Sequence, residues 1–404
     1  MRLSEEELEK VKEKYGVSRL WSWSRVNTFM NSKYEYMLKY ILHTPEDRCD
    51  CIYTTTGSIA HDILEKLYTG QIEYENMVQE FEDGWTTAVD IANLKFDRNN
   101  EEHNKKLADK YYIDLKHFFK NHTRIPYKAI TEQFIATKMG DYALQGYIDI
   151  VFRDKEKFYI IVDFKTSSIY KGKTLEEKSG QLCDYCMGLM QLGIPLDKIK
   201  IAFNFLKYVT IEYTQANGET KTRDVERCKI GENLQSNAKM WLKKLGYTDK
   251  MDEYLKEMID FNDISVLPED VQTKFKITDC YVYIPLTQKL LDSWTDFIVA
   301  NIKDIELREK DYAESKNERL FWDSEEEIKK QSYYFATLCS YSAELHKPYK
   351  LYLDKLQAAQ EGSNLFSGIG SETKNEDEQT VKDNKSIHQN SVDDDLSWLD
   401  GLLS

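Results

Sequence analysis

The chain lacks the features of a secreted, membrane-spanning or motor protein. No apolar stretch approaches the ~20 residues that a transmembrane helix needs. Cysteines number seven among 404 residues, and this odd, sparse set argues against a disulfide framework. The phosphate-binding pattern G-x-x-x-x-G-K-[ST] is absent, so the chain carries no P-loop motor. We therefore expect a cytoplasmic protein with no membrane partner.

The chain is acidic, but part of the acidity falls in a terminal tail. The net charge is −15, and residues 361–404 contribute −7 through ten acids and three lysines. This tail is rich in polar residues and is predicted to be disordered. Its end combines three consecutive aspartates with apolar residues at near-helical spacing: Leu396, Trp398, Leu399, Leu402 and Leu403. That pattern predicts a peptide that docks on a protein partner, with an inhibitory or merely solubilising tail as alternatives.

Two adjacent strands are predicted to carry charged residues on one face. Residues 145–152 and 158–167 are rich in β-branched and aromatic residues, with polar residues at alternate positions. Because side chains alternate along a strand, Asp149, Asp163 and Lys165 share the face opposite the apolar core. A half-buried sheet would ordinarily place Thr, Gln or Ser at such positions.

The expected hairpin register brings the carboxylates together. A polar turn at 154–157 pairs the two strands so that Asp149 lies opposite Asp163. The preceding strand, 130–135, leads into a Gly-Asp turn typical of a type II′ hairpin, which places Glu132 opposite Asp149. Opposed like charges destabilise a sheet, and a bound cation would offset that repulsion. The alternative is a solvated face with acids placed there by chance.

Two helical segments add further candidates. His61 belongs to an amphipathic helical pattern, and neutral imidazole is a good ligand for divalent ions. Gln181 and Tyr185 are four residues apart, so they share one helix face and could position a phosphate or a base. The alternatives are a surface histidine and ordinary helix-surface polarity.

These pieces, taken in order, resemble the PD-(D/E)XK nuclease superfamily and its RecB-like branch, which includes AddB-type, CRISPR-adaptation and phage exonucleases. The resemblance spans about residues 20–210 and lacks only the proline that often precedes the first aspartate. The matching pieces are Ser22-Trp-Ser24, Gly57 to Glu65 around His61, Glu132, Gly146-Tyr-Ile-Asp149, Asp163-Phe-Lys165 and Gln181 to Tyr185.

The resemblance implies a restriction-endonuclease-like α/β fold, an αβββαβ core whose central mixed sheet is flanked by helices. It implies one or two Mg²⁺ or Mn²⁺ ions. The implied metal contacts are His61, Asp149, Asp163 and the Phe164 carbonyl, and the implied catalytic residues are Asp149, Asp163, Lys165, Glu132, Gln181 and Tyr185.

Some members of the branch hold an iron–sulfur cluster with four cysteines, and we expect none here. Asn31 occupies the place of the first cysteine, and the late region offers only Cys339. A four-thiolate zinc site from Cys49, Cys51, Cys183 and Cys186 is a weaker alternative.

The chain is predicted to form one elaborated nuclease domain over 1–360, followed by the acidic tail at 361–404. Within the domain we expect a catalytic core at about 20–210, a hairpin and helical insertion at about 210–275, and a last strand with helices at about 276–360.

The predicted activity is metal-dependent hydrolysis of DNA, with an exonuclease of recombination, repair or phage DNA processing as the first choice. A structure-specific or single-strand endonuclease is one alternative. A non-catalytic DNA-binding subunit is another, although it would have no need of an intact Asp149, Asp163 and Lys165 set.

Overall fold

The computed structural model describes residues 3–48, 51–97 and 100–367, without the side chains from 360 onward. Contacts divide the chain into two compact units. Unit 1 contains the residues through 23 and residues 50–299, and unit 2 contains residues 24–49 and those from 300 onward. The predictions for Cys49 and for the docking peptide in the tail lie outside the described residues.

Runs of strands and runs of helices follow one another along the chain, with β2, β3 and β4 consecutive in sequence. Across the described ranges, no helix combines the length and apolar character needed to cross a membrane. The strands are β1 (Leu20–Ser22), β2 (Ala129–Met139), β3 (Tyr142–Arg153), β4 (Tyr159–Lys165), β5 (Ile199–Thr214), β6 (Thr220–Glu226) and β7 (Phe275–Ile284). The helices are α1 (Glu5–Tyr15), α2 (Trp23–Asn31), α3 (Lys33–Tyr36), α4 (Ile52–Tyr68), α5 (Met77–Trp85), α6 (Glu101–Asn121), α7 (Lys173–Lys178), α8 (Gly180–Gln191), α9 (Ile230–Lys244), α10 (Met251–Asp260), α11 (Glu269–Gln272), α12 (Gln288–Ser315), α13 (Glu325–Lys330) and α14 (Lys347–Ser367).

Unit 1 is built on a seven-stranded mixed sheet in the order β1-β3-β4-β5-β6, with β2 on β3 and β7 on β5. The pairs β1–β3 and β4–β5 are parallel, and the other pairs are antiparallel. A parallel pair needs a crossover, which α7 and α8 supply between β4 and β5. The predicted fold class, a mixed sheet flanked by helices, is confirmed.

Both predicted hairpin registers are present. Gly140 has φ +60° and opens the two-residue turn between the paired residues Met139 and Tyr142. This conformation is the one that glycine adopts without steric cost. In the next hairpin, Ile150 pairs with Val162, and the same register continued by one step sets Asp149 opposite Asp163.

Strand β4 is buried on both faces, whereas the sequence pattern suggested one solvated face. Along β4, Ile161 and Val162 point to opposite faces and both are 0% exposed. Asp163 shares the face of Ile161 and is only 3% exposed, and the Asp149 side chain beside it is 14% exposed. The Asp163 carboxylate therefore lies in the protein interior, where a charged group is costly unless it is paired.

The far halves of β5 and β7 form a second core with the predicted helical insertion. Residues of β5, β6 and β7 pack there against α9, α10 and α11, around the buried Leu234, Leu242 and Met258. Gly218, at φ +86°, turns the β5–β6 hairpin as its Asn-Gly sequence predicts.

Unit 2 contains a buried polar trio that holds the start of α3. Ser32 caps this helix, and its hydroxyl contacts Asp323 Oδ2 at 2.7 Å and His346 Nε2 at 2.9 Å. In a hydrolytic triad the carboxylate holds the other imidazole nitrogen. Here that nitrogen accepts the N–H of Tyr349, and both Ser32 and His346 are fully buried. The trio is therefore a structural tie between distant segments.

Candidate active site

The centre of the site is a slit in the sheet along one edge of β3. Strand β2 pairs along β3 from Tyr142 to Phe152 and so occupies the whole of one edge. On the other edge, β4 pairs with residues 150–153 and β1 with residues 143–145. In the described chain, residues 146–149 therefore have no strand partner on that edge. Asp149 lies at the end of this slit where β4 begins to diverge.

Where β3 and β4 diverge, the Asp149 carboxylate accepts a hydrogen bond that a backbone carbonyl would otherwise accept. The Phe164 N–H donates to Asp149 Oδ2 at 3.1 Å, so a side chain bridges the two strands where their ladder ends. Burial, and next the negative charge of Asp163, raise the pKa of Asp149 well above its ordinary value. A cation that enters the slit would stabilise the ionised form of Asp149.

Asp163 and Lys165 form a close ion pair beside Asp149. Lys165 Nζ lies 2.6 Å from Asp163 Oδ2. Burial alone would lower the pKa of Lys165, but the carboxylates of Asp163 and Asp149 outweigh it and raise that pKa. Lys165 therefore remains a cation at neutral pH.

His61 reaches the same point from α4. Its Nε2 lies 2.8 Å from the Phe164 carbonyl oxygen, and its Nδ1 lies 3.5 Å from Asp149 Oδ2. The structure thus brings His61, Asp149, Asp163, Phe164 and Lys165 together, as the sequence predicted.

A buried hydrogen-bonded chain fixes the end of α4 and so positions the helix that carries His61. The Tyr68 hydroxyl contacts His122 Nε2 at 2.9 Å, and His122 Nδ1 contacts Asp279 Oδ2 at 2.8 Å. Arg227 pairs with the other oxygen of Asp279 at 2.5 Å. Burial would raise the pKa of Asp279, but its bond to His122 and the charge of Arg227 lower it. The chain thus ties α4 to β7 through a carboxylate that stays ionised.

The donors at the slit fit a hard divalent ion chemically. His61 Nε2 and the Phe164 carbonyl oxygen lie 2.8 Å apart as a hydrogen bond, in which the imidazole N–H donates to the carbonyl. Within the described ranges, however, no set of three His, Cys, Asp or Glu residues is gathered tightly enough to hold an ion as it stands. The ammonium of Lys165 lies against Asp163 in that arrangement.

Glu132 occupies its predicted register position but departs from regular strand geometry. Its neighbours Thr131 and Gln133 pair with Ile150 and Ile148, which leaves Glu132 across from Asp149. Its φ of +48° interrupts β2 at that residue, and such angles are uncommon outside glycine. The described contacts include none between Glu132 and the group at the slit, so its catalytic role stays a prediction.

Gln181 and Tyr185 form a pair on α8 that packs behind β3. Gln181 Nε2 donates to the Tyr185 hydroxyl at 2.8 Å. The Tyr185 ring lies against Gly146, where a Cβ would come within 2.5 Å of a ring carbon. Because Gly146 and Asp149 are three residues apart, a regular strand directs them to opposite faces. Burial and then the negative charges nearby raise the pKa of Tyr185, so it acts as a neutral hydroxyl.

The sequence reasoning missed an aromatic wall beside Lys165. The ring of Tyr170 packs edge-on against Phe203 and Phe205, with centroids 5.4 and 5.1 Å away. The Tyr170 hydroxyl accepts a hydrogen bond from Ser167, and Lys165 Nζ lies 5.8 Å from the Phe203 ring centroid. The alternating phenylalanines of the predicted strand were a signal for this wall.

The α8 cysteines Cys183 and Cys186 are both buried, and desolvation raises the pKa of both thiols to about 12. Packing is the role that the structure describes for them. Cys49 lies outside the described residues, so the alternative zinc site stays a prediction.

The family model for the PD-(D/E)XK nuclease superfamily matches residues 20–274. The chain therefore belongs to this superfamily, and the membership indicates a nuclease. A search of curated proteins found no match.

The close approach of Tyr185 to β3 predicts a specific steric coupling. Gly146→Ala should lower the free energy of unfolding by about 1–3 kcal/mol, because the new methyl group overlaps the Tyr185 ring. In a Tyr185→Ala background the same substitution should cost much less. Urea unfolding of the four proteins measures the coupling.

Gly57→Ala is the matched control, since a Cβ there meets only Thr166 Oγ1 at 3.8 Å within a helix. This change should be neutral or slightly stabilising. Equal losses for Gly146→Ala in both backgrounds would show that Tyr185 does not restrict this strand.

Proposed function

We propose that this protein is a metal-dependent deoxyribonuclease of the RecB-like branch that acts as an exonuclease in DNA recombination, repair or phage DNA processing. The observation that carries the proposal is the convergence of His61, Asp149, Asp163 and Lys165 on the slit beside β3. Two carboxylates of like charge, with a lysine and an imidazole beside them, suit hydrolysis of a phosphodiester.

His61, Asp149, Asp163 and the Phe164 carbonyl would hold the ion. A bound Mg²⁺ or Mn²⁺ supplies an activated water and neutralises charge on the phosphate. In this structure the His61 Nε2–H donates to the Phe164 carbonyl, so metal ligation through Nε2 would need the imidazole proton on Nδ1, which lies 3.5 Å from Asp149 Oδ2.

Lys165 is the cation aimed at the reacting phosphate. Its raised pKa keeps it charged, and the aromatic wall restricts where its side chain can go. A bound divalent ion would replace Lys165 as the counter-charge of Asp163. The ammonium would then be available to a non-bridging phosphate oxygen or the attacking water.

Assignment to the branch rests on the helix that supplies His61 and on the Gln181–Tyr185 pair. We propose that Gln181 and Tyr185 help to position a phosphate or a base, while their packing fixes α8 against Gly146. Glu132 would contribute from its position opposite Asp149. We propose that the iron–sulfur cluster of some members is absent and that the protein acts in the cytoplasm.

One digestion experiment separates the candidate activities. DNA labelled at the 5′ or 3′ end, single- or double-stranded, is incubated with Mg²⁺, Mn²⁺ or EDTA. Release of mononucleotides or short products from an end supports the exonuclease, and internal products of defined length support the endonuclease. Binding without cleavage under every metal condition would leave the non-catalytic DNA-binding subunit.

The first prediction about activity concerns Asp163, one of the two aspartates at the slit. Asp163→Asn should lower kcat by a factor of at least about 10²–10³, because it removes charge from the metal-binding face. Glu156→Gln, a change in the exposed β3–β4 turn, is the control that removes one acid without touching the slit. Cleavage by purified Asp163→Asn at the wild-type rate would show that the site is elsewhere.

Substitution of Lys165 distinguishes an effect on turnover from an effect on metal binding. Lys165→Ala should lower turnover by a factor on the order of 10² or more. Mn²⁺ affinity, measured by calorimetry, should persist or increase, because a competing cation has been removed from Asp163. Lost Mn²⁺ affinity combined with normal turnover at saturating metal would make Lys165 structural.

The tail is proposed to dock on a DNA-replication or recombination protein through Leu396, Trp398, Leu399, Leu402 and Leu403. An anchoring Trp typically contributes ~2 kcal/mol or more to such an interface. Helix α14 extends to Ser367 and so includes the first residues of the predicted 361–404 tail. Deleting the remainder, residues 368–404, should therefore spare cleavage of naked DNA and abolish co-purification of a partner from the native host.

The same deletion tests the alternatives for the tail. An inhibitory tail, with its negative charge over the DNA site, predicts faster cleavage and tighter DNA binding at low salt after deletion. If neither the activity nor the set of co-purifying proteins changes, the tail is a solubilising terminus.

A further inference from the structure

A compact group of cations and aromatic rings lies at the tip of the β5–β6 hairpin, far along β5 from the slit. We call it the hairpin cluster, and it consists of Tyr213, Lys221, Arg223, Trp241, Lys244 and Lys274. Three chain segments meet there. Tyr213 pairs across the strands with Lys221 and Phe275, and Trp241 of α9 donates from Nε1 to the Thr214 carbonyl at 2.7 Å.

Aromatic rings hold the cations of the hairpin cluster in place. The ammonium groups of Lys244 and Lys274 lie 4.8 and 5.0 Å from the Trp241 ring centroid. The guanidinium of Arg223 lies 4.9 Å from the Tyr213 ring centroid. Lys244 also donates to the Ala216 carbonyl at 2.9 Å. These contacts reduce the conformational entropy that the long side chains would lose on binding an anion.

The hairpin cluster contains four cations and no acid, in a chain of net −15. Its neighbours on the same segments include the acids Glu212, Glu219 and Asp224. A positive cluster on a negative protein is a local attraction for a polyanion, because distant charges are screened beyond about 10 Å at 0.1 M salt.

The slit and the hairpin cluster are far enough apart to contact one DNA duplex at two points. Lys165 pairs with Phe205 of β5, and Thr214 lies nine residues further along the same strand. At ~3.3 Å per residue this is at most about 30 Å, since β5 is irregular between Asn204 and Val209. With a rise of ~3.4 Å per base pair, the span corresponds to up to about nine base pairs.

We propose that the hairpin cluster binds the phosphate backbone of the DNA substrate at a second point, up to about nine base pairs from the scissile phosphate. This inference rests on the proposed nuclease function. Trp241 is buried and its ring is covered by lysines, so the contact is to phosphates and carries no sequence preference. Short substrates would reach the slit but not the cluster.

The test uses charge reversal in the full-length protein. The cluster variant carries Lys221→Glu, Lys244→Glu and Lys274→Glu. The matched control carries Lys105→Glu, Lys155→Glu and Lys289→Glu, three exposed lysines elsewhere in unit 1, with the same change in net charge. A third protein with Lys→Arg at the three cluster positions keeps the charge. Thermal unfolding checks that all four proteins fold.

Fluorescence anisotropy in EDTA measures the Kd for DNA hairpins with stems of 20 and 4 base pairs. For the 20-base-pair stem, the cluster variant should bind at least tenfold more weakly than wild type, whereas the control and the Lys→Arg protein stay within about threefold. The slope of log Kd against log salt should fall by about 2–3, near 0.9 for each phosphate that the variant no longer neutralises. Binding of the short stem should be equal in all four proteins.

Cleavage kinetics separate this inference from the proposed function. With Mg²⁺, the cluster variant should show a higher KM on the long substrate and an unchanged kcat on the short one. If wild-type protein binds the long stem but does not cleave it, the proposed nuclease function is refuted, whereas the proposed DNA contact at the hairpin cluster is not. A cluster variant that binds the 20-base-pair stem as tightly as wild type at the same salt would refute the cluster.

Discussion

The site depends on the electrostatic repulsion between two neighbouring aspartates. Asp149 and Asp163 face each other where β3 and β4 part, and burial strengthens the repulsion between them. Without a divalent ion, the positive charge of Lys165 and the N–H of Phe164 offset it. Both compensating groups lie on the same short strand as Asp163. The β4 segment thus carries the charge, its counter-charge and the carbonyl that approaches His61.

The slit exists because two strands share one edge of β3. Strand β1 takes one end of that edge and β4 the other, so among the described residues no strand pairs with the four positions between them on that side. An open ladder beside β4, which is buried on both faces, would be unfavourable unless side chains or ligands met the polar groups. Asp149 meets one of them directly. The same opening lets His61 approach a backbone carbonyl in the plane of the sheet.

Much of the site could be predicted because hairpin geometry is local. A turn length fixes a register, and alternation then fixes which residues share a face, so the Asp149–Asp163 alignment follows from the sequence alone. The slit could not be predicted in this way. It depends on the parallel pairing of the three-residue β1 with residues more than 120 positions away, and so short a strand carries almost no pattern.

Other differences have equally physical causes. Helix α2 ends at Asn31 because Ser32 turns its hydroxyl to the buried carboxylate of Asp323 and caps a new helix, and a break that depends on so distant a residue cannot be read from the local pattern. Glu132 was expected on a regular strand, yet its positive φ breaks β2 at the position facing Asp149. The sequence pattern did not predict that the sheet face carrying the aspartates is covered. Alternation along a strand identifies the apolar face, whereas the helices that cover the other face depend on tertiary packing.

The dependence of folding stability on divalent ions tests the central claim directly, without reference to activity. Thermal unfolding of the wild-type protein is compared with that of Asp149→Asn/Asp163→Asn, in EDTA and in Mn²⁺. In EDTA each protein's own Tm is the reference, because the double variant loses both the repulsion between the carboxylates and the counter-charges of Lys165. Mn²⁺ should raise the Tm of the wild type by several degrees and leave the variant unchanged. A wild-type Tm that does not respond to Mn²⁺ or Mg²⁺ at millimolar concentration would contradict the account.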